Sequence, residues 1–141
     1  MVQIAGKPGI AIAAAALLLG GSASEARPRL TGEAQLAKLL EGRVAGKPVN
    51  CISLRTNAPS TVIDKTAIIY GSGTTVYVQR PKIGAASLNS NDILVTSMVI
   101  SQLCNIDTVN IIDRNTLFWR GFVGLDQFVP YTKPAKVAQA N

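Results

Sequence analysis

The sequence predicts a mainly β (β-rich α+β) domain: a small antiparallel barrel or sandwich with one N-terminal helix and one disulfide. Three observations carry that expectation. Short runs rich in Val, Ile, Thr and Tyr alternate with Gly, Ser, Asn and Pro clusters from Lys47 onward. A single stretch, residues 31–42, carries helical spacing and helix-end signals. The chain's two cysteines, Cys51 and Cys104, stand at the two ends of the β-rich block.

The chain opens on Lys7, an apolar run from Ile10 to Leu19, and the small residues Gly20, Gly21, Ser22 and Ala23. A lightly basic start, an apolar segment and small residues placed for cleavage describe a secretory signal peptide over 1–23, with the cut after Ala23 or after Ala26. The apolar run is about half the length of a membrane-crossing helix, so the mature protein is expected not to span the membrane. Export to the periplasm or to the outside follows. The remaining chain, about 115 to 118 residues, suits one domain, expected over 30–131 with a flexible 132–141 tail.

Within that domain, Thr31 is placed to cap a helix, Glu33 sits in its first turn, and Gly42 can end it. Leu36, Leu39 and Leu40 share one face, which predicts docking through those leucines. Val49 to Leu54 is a short strand run between Pro48 and the turn residues Asn57 to Ser60. Thr66–Tyr70 and Thr75–Arg80 form the clearest hairpin, turning through Gly71, Ser72, Gly73 and Thr74, with Val76 and Val78 on one side and Tyr77 and Gln79 on the other. The Gly71-Ser72-Gly73 triplet lacks the third glycine and the following helix of a phosphate loop, so it reads as a turn. Pro81 to Asp92 is irregular. Its Asn89-Ser90-Asn91-Asp92 cluster lacks the alternating acids and closing Glu of a calcium loop and reads as turn chemistry. Ile93 to Ile100 fits neither period cleanly, and its β-branched content favours a strand. Asp107–Ile112 and Leu117–Val123 form a second hairpin through Asp113 to Thr116, and apolar residues recur to Tyr131.

In an oxidising compartment two cysteines pair, and Cys51 and Cys104, next to Ile52 and Leu103, are expected to form a buried structural bridge between two strands. They lack Cys-x-x-Cys spacing, which argues against a redox centre.

The chain contains no histidine, which removes the commonest general base, the Ser-His and Cys-His nucleophile pairs and the commonest metal ligand. No Ser or Thr stands three residues before a Lys. With both thiols oxidised, the soft metal ligands are gone, so no cofactor and no metal are expected. The aspartates Asp64, Asp92, Asp107, Asp113 and Asp126 are the remaining route to catalysis, since paired carboxylates suffice for glycoside hydrolysis. Most of them sit in turn sequences, and the chain is expected not to be an enzyme, with a paired-Asp hydrolase as the alternative.

The formal net charge is +6. Cleavage after Ala26 keeps that value and cleavage after Ala23 leaves +5. A basic surface favours anionic neighbours. Nucleic acid is not expected as a partner of an exported protein, which leaves an anionic envelope polymer, glycan or lipid, or an envelope protein. The candidate binding residues are Arg55, Arg80, Lys82, Arg114, Trp119 and Arg120, with Phe118 and Trp119 beside Arg120 as a possible stacking platform. Strand alternation predicts that one of Phe118 and Trp119 is core. The expected role is a non-catalytic binding or envelope-associated module. The alternatives are a protein inhibitor or accessory subunit of an envelope complex, which would show an exposed apolar patch or an open sheet edge, and the hydrolase above.

The order Cys51-Ile52, Ile63-Asp64, Ala67-Ile68-Ile69-Tyr70, Leu103-Cys104-Asn105-Ile106-Asp107-Thr108-Val109 and Leu125-x-x-Phe128-x-Pro130 resembles small exported proteobacterial domains of unknown function. The resemblance covers most of the mature chain and rests on spaced apolar residues and Cys. The chain departs from it in having only two cysteines, where such relatives often carry more. It implies an exported, disulfide-linked, mostly β protein and brings no activity.

Overall fold

Hydrophobic alternation on two faces of one sheet sets the architecture of the chain. The computed structural model describes residues 27–136, with Gly6, Gly9 and Gly21 as isolated positions ahead of them. The expected leader and its two cleavage points, and the tail beyond residue 136, lie outside the described residues. In chain order the elements are α1 (Gly32–Leu39), β1 (Val44–Ala45), β2 (Cys51–Ser53), β3 (Ser60–Ile63), β4 (Ala67–Tyr70), β5 (Thr75–Gln79), a 3-10 turn (Ala85–Ser87), β6 (Asp92–Thr96), β7 (Gln102–Cys104), β8 (Thr108–Asp113), β9 (Trp119–Gly124) and β10 (Phe128–Thr132).

The strands form three antiparallel sheets: β1-β10-β5-β4-β3, β2-β7 and β6-β8-β9. The five-stranded sheet is buried on both faces. Ile68 and Tyr70 of β4 and Phe128 of β10 pack against Ile52 and Leu103 of the two-stranded sheet and Val109, Ile111 and Val123 of the three-stranded sheet. Ala67 and Ile69 of β4 and Val76 and Val78 of β5 face the other way, onto Leu36 and Leu40 of α1. The result is a sandwich with a helix on its outer side. Both expected hairpins are present, β4-β5 and β8-β9, and Gly71 and Gly73 take the left-handed conformation that the first turn needs.

The helix is capped as expected, Thr31 Oγ1 accepting from Ala34 N at 3.2 Å. It enters so close to the β3-β4 turn that a Cβ on Gly32 would run into Thr66 Oγ1 and lie 2.8 Å from Asp64 O, so only glycine fits there. Leu39, expected in the docking face, is instead exposed. The helix stops after two turns, and Leu36 with Leu40 is enough to cover the sheet. Gln79 is fully buried and satisfied reciprocally: its Nε2 donates to Asp126 O at 2.6 Å and its Oε1 accepts from Asp126 N at 2.9 Å.

Four further expectations are corrected. The strand expected over Ile93 to Ile100 ends at Thr96, opposite Val109, one residue short of the start of its partner β8 at Thr108, and beyond Ser97 β8 offers nothing to pair with. Ser60–Ile63, placed partly in a turn by sequence, pairs along its length with β4. The last strand runs through Thr132, and Lys133 N donates to Thr74 O at 2.9 Å, so order extends past Tyr131. The disulfide joins Cys51 and Cys104 as expected and ties β2 to β7, where the two are direct register partners. What is corrected is its burial: the bridge expected to be buried lies on the outer side of that sheet, with Cys51 exposed and Cys104 half-buried, because alternation turns Ile52 and Leu103 inward.

Candidate functional site

Among the described residues two runs of three consecutive large apolar side chains are exposed, Met98 to Ile100 in the loop before β7 and Leu117 to Trp119 at the tip of the β8-β9 hairpin, and the second is the one held by a hydrogen-bonded turn. That turn is built on Asp113, whose Oδ1 accepts from Asn115 N at 2.9 Å, Thr116 N at 2.8 Å and Thr116 Oγ1 at 3.1 Å. Those donors hold the Asp113 carboxyl below the usual carboxylate range, with the Arg120 charge adding a smaller push in the same direction. Asp113 N donates to Phe118 O and Leu117 N to Asp113 O, which closes the loop over Arg114 to Phe118. Leu117 sits at φ 59, a left-handed conformation that a branched apolar residue rarely adopts.

This rigid tip presents Leu117, Phe118 and Trp119 to the outside, at 69%, 73% and 64% exposure. The alternation that should have buried one of Phe118 and Trp119 does not apply, because the strand begins only at Trp119 and Phe118 belongs to the turn. Trp119 Nε1 donates to Asn110 Oδ1 at 3.2 Å, so the indole is fixed through its one polar atom and its ring is left free.

From the tip an apolar strip continues along the outer face of the three-stranded sheet. Register places Ile93, Ile112 and Trp119 in one row and Val95, Asn110 and Phe122 in the next. Ile83, bridged to Gly124, extends the strip beyond β9.

The candidate cations do not gather on one face. Arg120 reaches across β8 to Asp92, its Nη1 at 2.5 Å and 2.6 Å from the two carboxylate oxygens. Arg114 Nη2 lies 3.4 Å from Asp92 O, so these two arginines meet at the base of the tip. Arg80 instead holds Glu33 of α1 with bonds of 2.6 Å and 3.0 Å, in the helix layer on the far side of the large sheet. That pairing lowers the Glu33 carboxyl and raises the Arg80 guanidinium from their ordinary values. Arg55 is exposed in the turn after β2, and Lys82 is exposed beside Ile83.

The aspartates serve local structure. Asp64 accepts from Ser90 N, Asp107 from Cys104 N and Asp126 from Gln127 N. Asp92 and Asp113 are register partners, but one is clamped by Arg120 and the other is engaged by its turn. Of the three cavities described, one has Asp126 in its wall, one has Asp92 and one has no carboxylate. Among the described residues, no group of three or more acidic or cysteine side chains is placed to hold a metal, and no helix is long and apolar enough to cross a membrane.

Sequence reading missed Tyr70 as a site residue. It is 4% exposed, and among the described residues its hydroxyl has no protein hydrogen-bond partner. Burial raises its pKa, so it is a neutral hydroxyl at the wall of a cavity formed with Leu54, Pro59, Ser60, Leu94 and Thr96. An apolar strand residue with a hydroxyl carries no local signal that distinguishes it from core. Comparison of the chain with protein-family models, curated proteins and solved structures finds no match in any of the three.

Proposed function

We propose that this protein is a non-catalytic, exported module of the cell envelope that docks on an anionic lipid surface through the tip of its β8-β9 hairpin. The observation that carries the reading is the run Leu117-Phe118-Trp119, three consecutive large apolar side chains held out to solvent on a turn fixed by Asp113. Loop tips are ordinarily polar, and a contiguous exposed apolar patch marks an interaction site. Trp and Phe on a rigid projection suit the headgroup level of a bilayer, where an apolar ring and a polar edge are both accommodated. The net charge of +5 or +6 after cleavage of the leader, with Arg114 at the base of the tip and Lys82 at the far end of the strip, complements an anionic surface. A glycan platform would use the Trp119 ring face alone and leaves Leu117 and Phe118 without a role. Export is supported by the leader sequence and agrees with the Cys51–Cys104 disulfide, which belongs to oxidising compartments.

The accessory-subunit reading is the second one, and the apolar strip is what favours it. Co-sedimentation separates the two. The mature protein is expected to pellet with vesicles of phosphatidylethanolamine and phosphatidylglycerol and to stay in solution with phosphatidylcholine alone, and the Phe118→Ser/Trp119→Ser variant is expected to lose pelleting. Absence of pelleting with the anionic vesicles at low salt removes the lipid reading. If the protein then still associates with its own envelope fraction, and protease treatment of that fraction abolishes the association, the accessory-subunit reading takes its place.

A further inference from the structure

The five-stranded sheet ends in β3 and the three-stranded sheet in β6, and in the described residues neither edge is paired with a further strand. Both edges border the same space. One cavity, of about 470 Å³, has Ser60, Thr61 and Val62 on one wall and Ile93, Leu94 and Arg114 on the other. A second, of about 390 Å³, has Ser60 and Tyr70 facing Leu94 and Thr96. Ser60 and Leu94 line both, which places the two cavities side by side in the cleft between the edges.

The register of β3 shows which backbone groups look into the cleft. Gly71 N donates to Pro59 O, and Ser60 pairs opposite Tyr70. Alternation along an antiparallel pair then turns Thr61 and Ile63 toward β4, and Ser60 and Val62 outward. The wall thus offers main-chain donors and acceptors at two-residue spacing, together with a second, independent feature: the unpartnered hydroxyl of Tyr70, 4% exposed. Buried hydroxyls in folded proteins are nearly always satisfied by protein or water, and this one, on a cavity-lining residue, is a group that an arriving acceptor can satisfy.

We infer that this cleft binds an extended peptide segment as an added strand between β3 and β6, with an acceptor of the peptide on the Tyr70 hydroxyl and an acidic residue near Arg114. A compact small molecule of equal volume would leave the Ser60 and Val62 backbone groups unpaired, whereas a strand satisfies them and places alternate side chains into the two cavities. The exposed Arg114 guanidinium at one end gives the peptide a direction, since its fixed charge favours a carboxylate there. The inference goes beyond lipid docking and does not depend on it.

The test uses a phage-displayed library of linear dodecapeptides panned on the oxidised, full-length mature protein, with the selected peptides synthesised and measured by fluorescence anisotropy. Selected sequences are expected to alternate apolar and polar residues and to carry an acidic residue toward one end. Hydrogen exchange should slow at the Val62 amide on binding. Tyr70→Phe should weaken the peptides by about tenfold while leaving thermal stability unchanged or raised, because the substitution removes an unsatisfied buried group. Arg114→Gln should weaken the acidic peptides and not their amidated counterparts. Enrichment of no peptide above background overturns the inference, and so do peptides that bind Tyr70→Phe as tightly as the parent and leave the Val62 amide unprotected.

Discussion

Between Arg120 and Asp92 the burial is lopsided: the Asp92 side chain is 2% exposed and the Arg120 side chain 36%. Taking away one partner therefore does different things on the two sides. Arg120→Met leaves a buried carboxylate whose remaining partner is the Asn89 backbone N–H, a loss of about 3 kcal/mol. Asp92→Asn keeps a polar group of the same shape and leaves a guanidinium that can turn to water, so its cost is about 1 kcal/mol. Urea unfolding of both variants checks the order, and equal losses would show that the burial asymmetry does not set the energetics. Neither residue announces this role in the sequence. Asp92 reads as the border of a loop and Arg120 as a binding cation, and they meet because β8 lies between β6 and β9. Trp119 shows the same limit, since its exposure follows from where β9 begins.

The two-stranded sheet is the weakest element, three residues in each strand. An isolated pair that short has little stability of its own. Ile52 and Leu103 anchor its inner side, and the Cys51–Cys104 bridge fixes its outer side across a sequence separation of 53. Closing a loop of that length stabilises by about 4 kcal/mol in the chain-entropy model. The Cys51→Ala/Cys104→Ala variant is expected to lose that much, and native-state hydrogen exchange should show β2 and β7 opening before β8 and β9. Retention of full protection in β2 and β7 would show that Ile52 and Leu103 suffice. The legibility of the elements follows the range of their contacts. The β4-β5 and β8-β9 hairpins can be read from Gly71, Gly73 and Asp113, because their turns are local chemistry. The pairing of β1 with β10 joins Val44 to Thr132 across most of the domain, and nothing near Val44 marks it.

At the scale of the molecule the layers sort the charges. Arg80 is spent on Glu33 in the helix layer and Arg120 on Asp92, so the cations available to the apolar strip are Arg114 and Lys82. Burying the exposed parts of Leu117, Phe118 and Trp119 at a membrane interface is worth about 4 kcal/mol, and each cation near an anionic surface about 1 kcal/mol. Together they correspond to a dissociation constant of tens of micromolar, on the order of 40 μM, with the apolar part alone near 1 mM. Salt screens only the electrostatic share, since the Debye length falls from about 10 Å at 0.1 M to about 3 Å at 1 M. Raising salt across that range should therefore weaken binding to phosphatidylglycerol vesicles by about tenfold to thirtyfold and then level off. Arg114→Gln/Lys82→Gln should start near that plateau and lose its salt dependence. A titration that continues to fall toward zero binding at high salt would mean that the tip stays in water, and that the charges alone hold the protein to the surface.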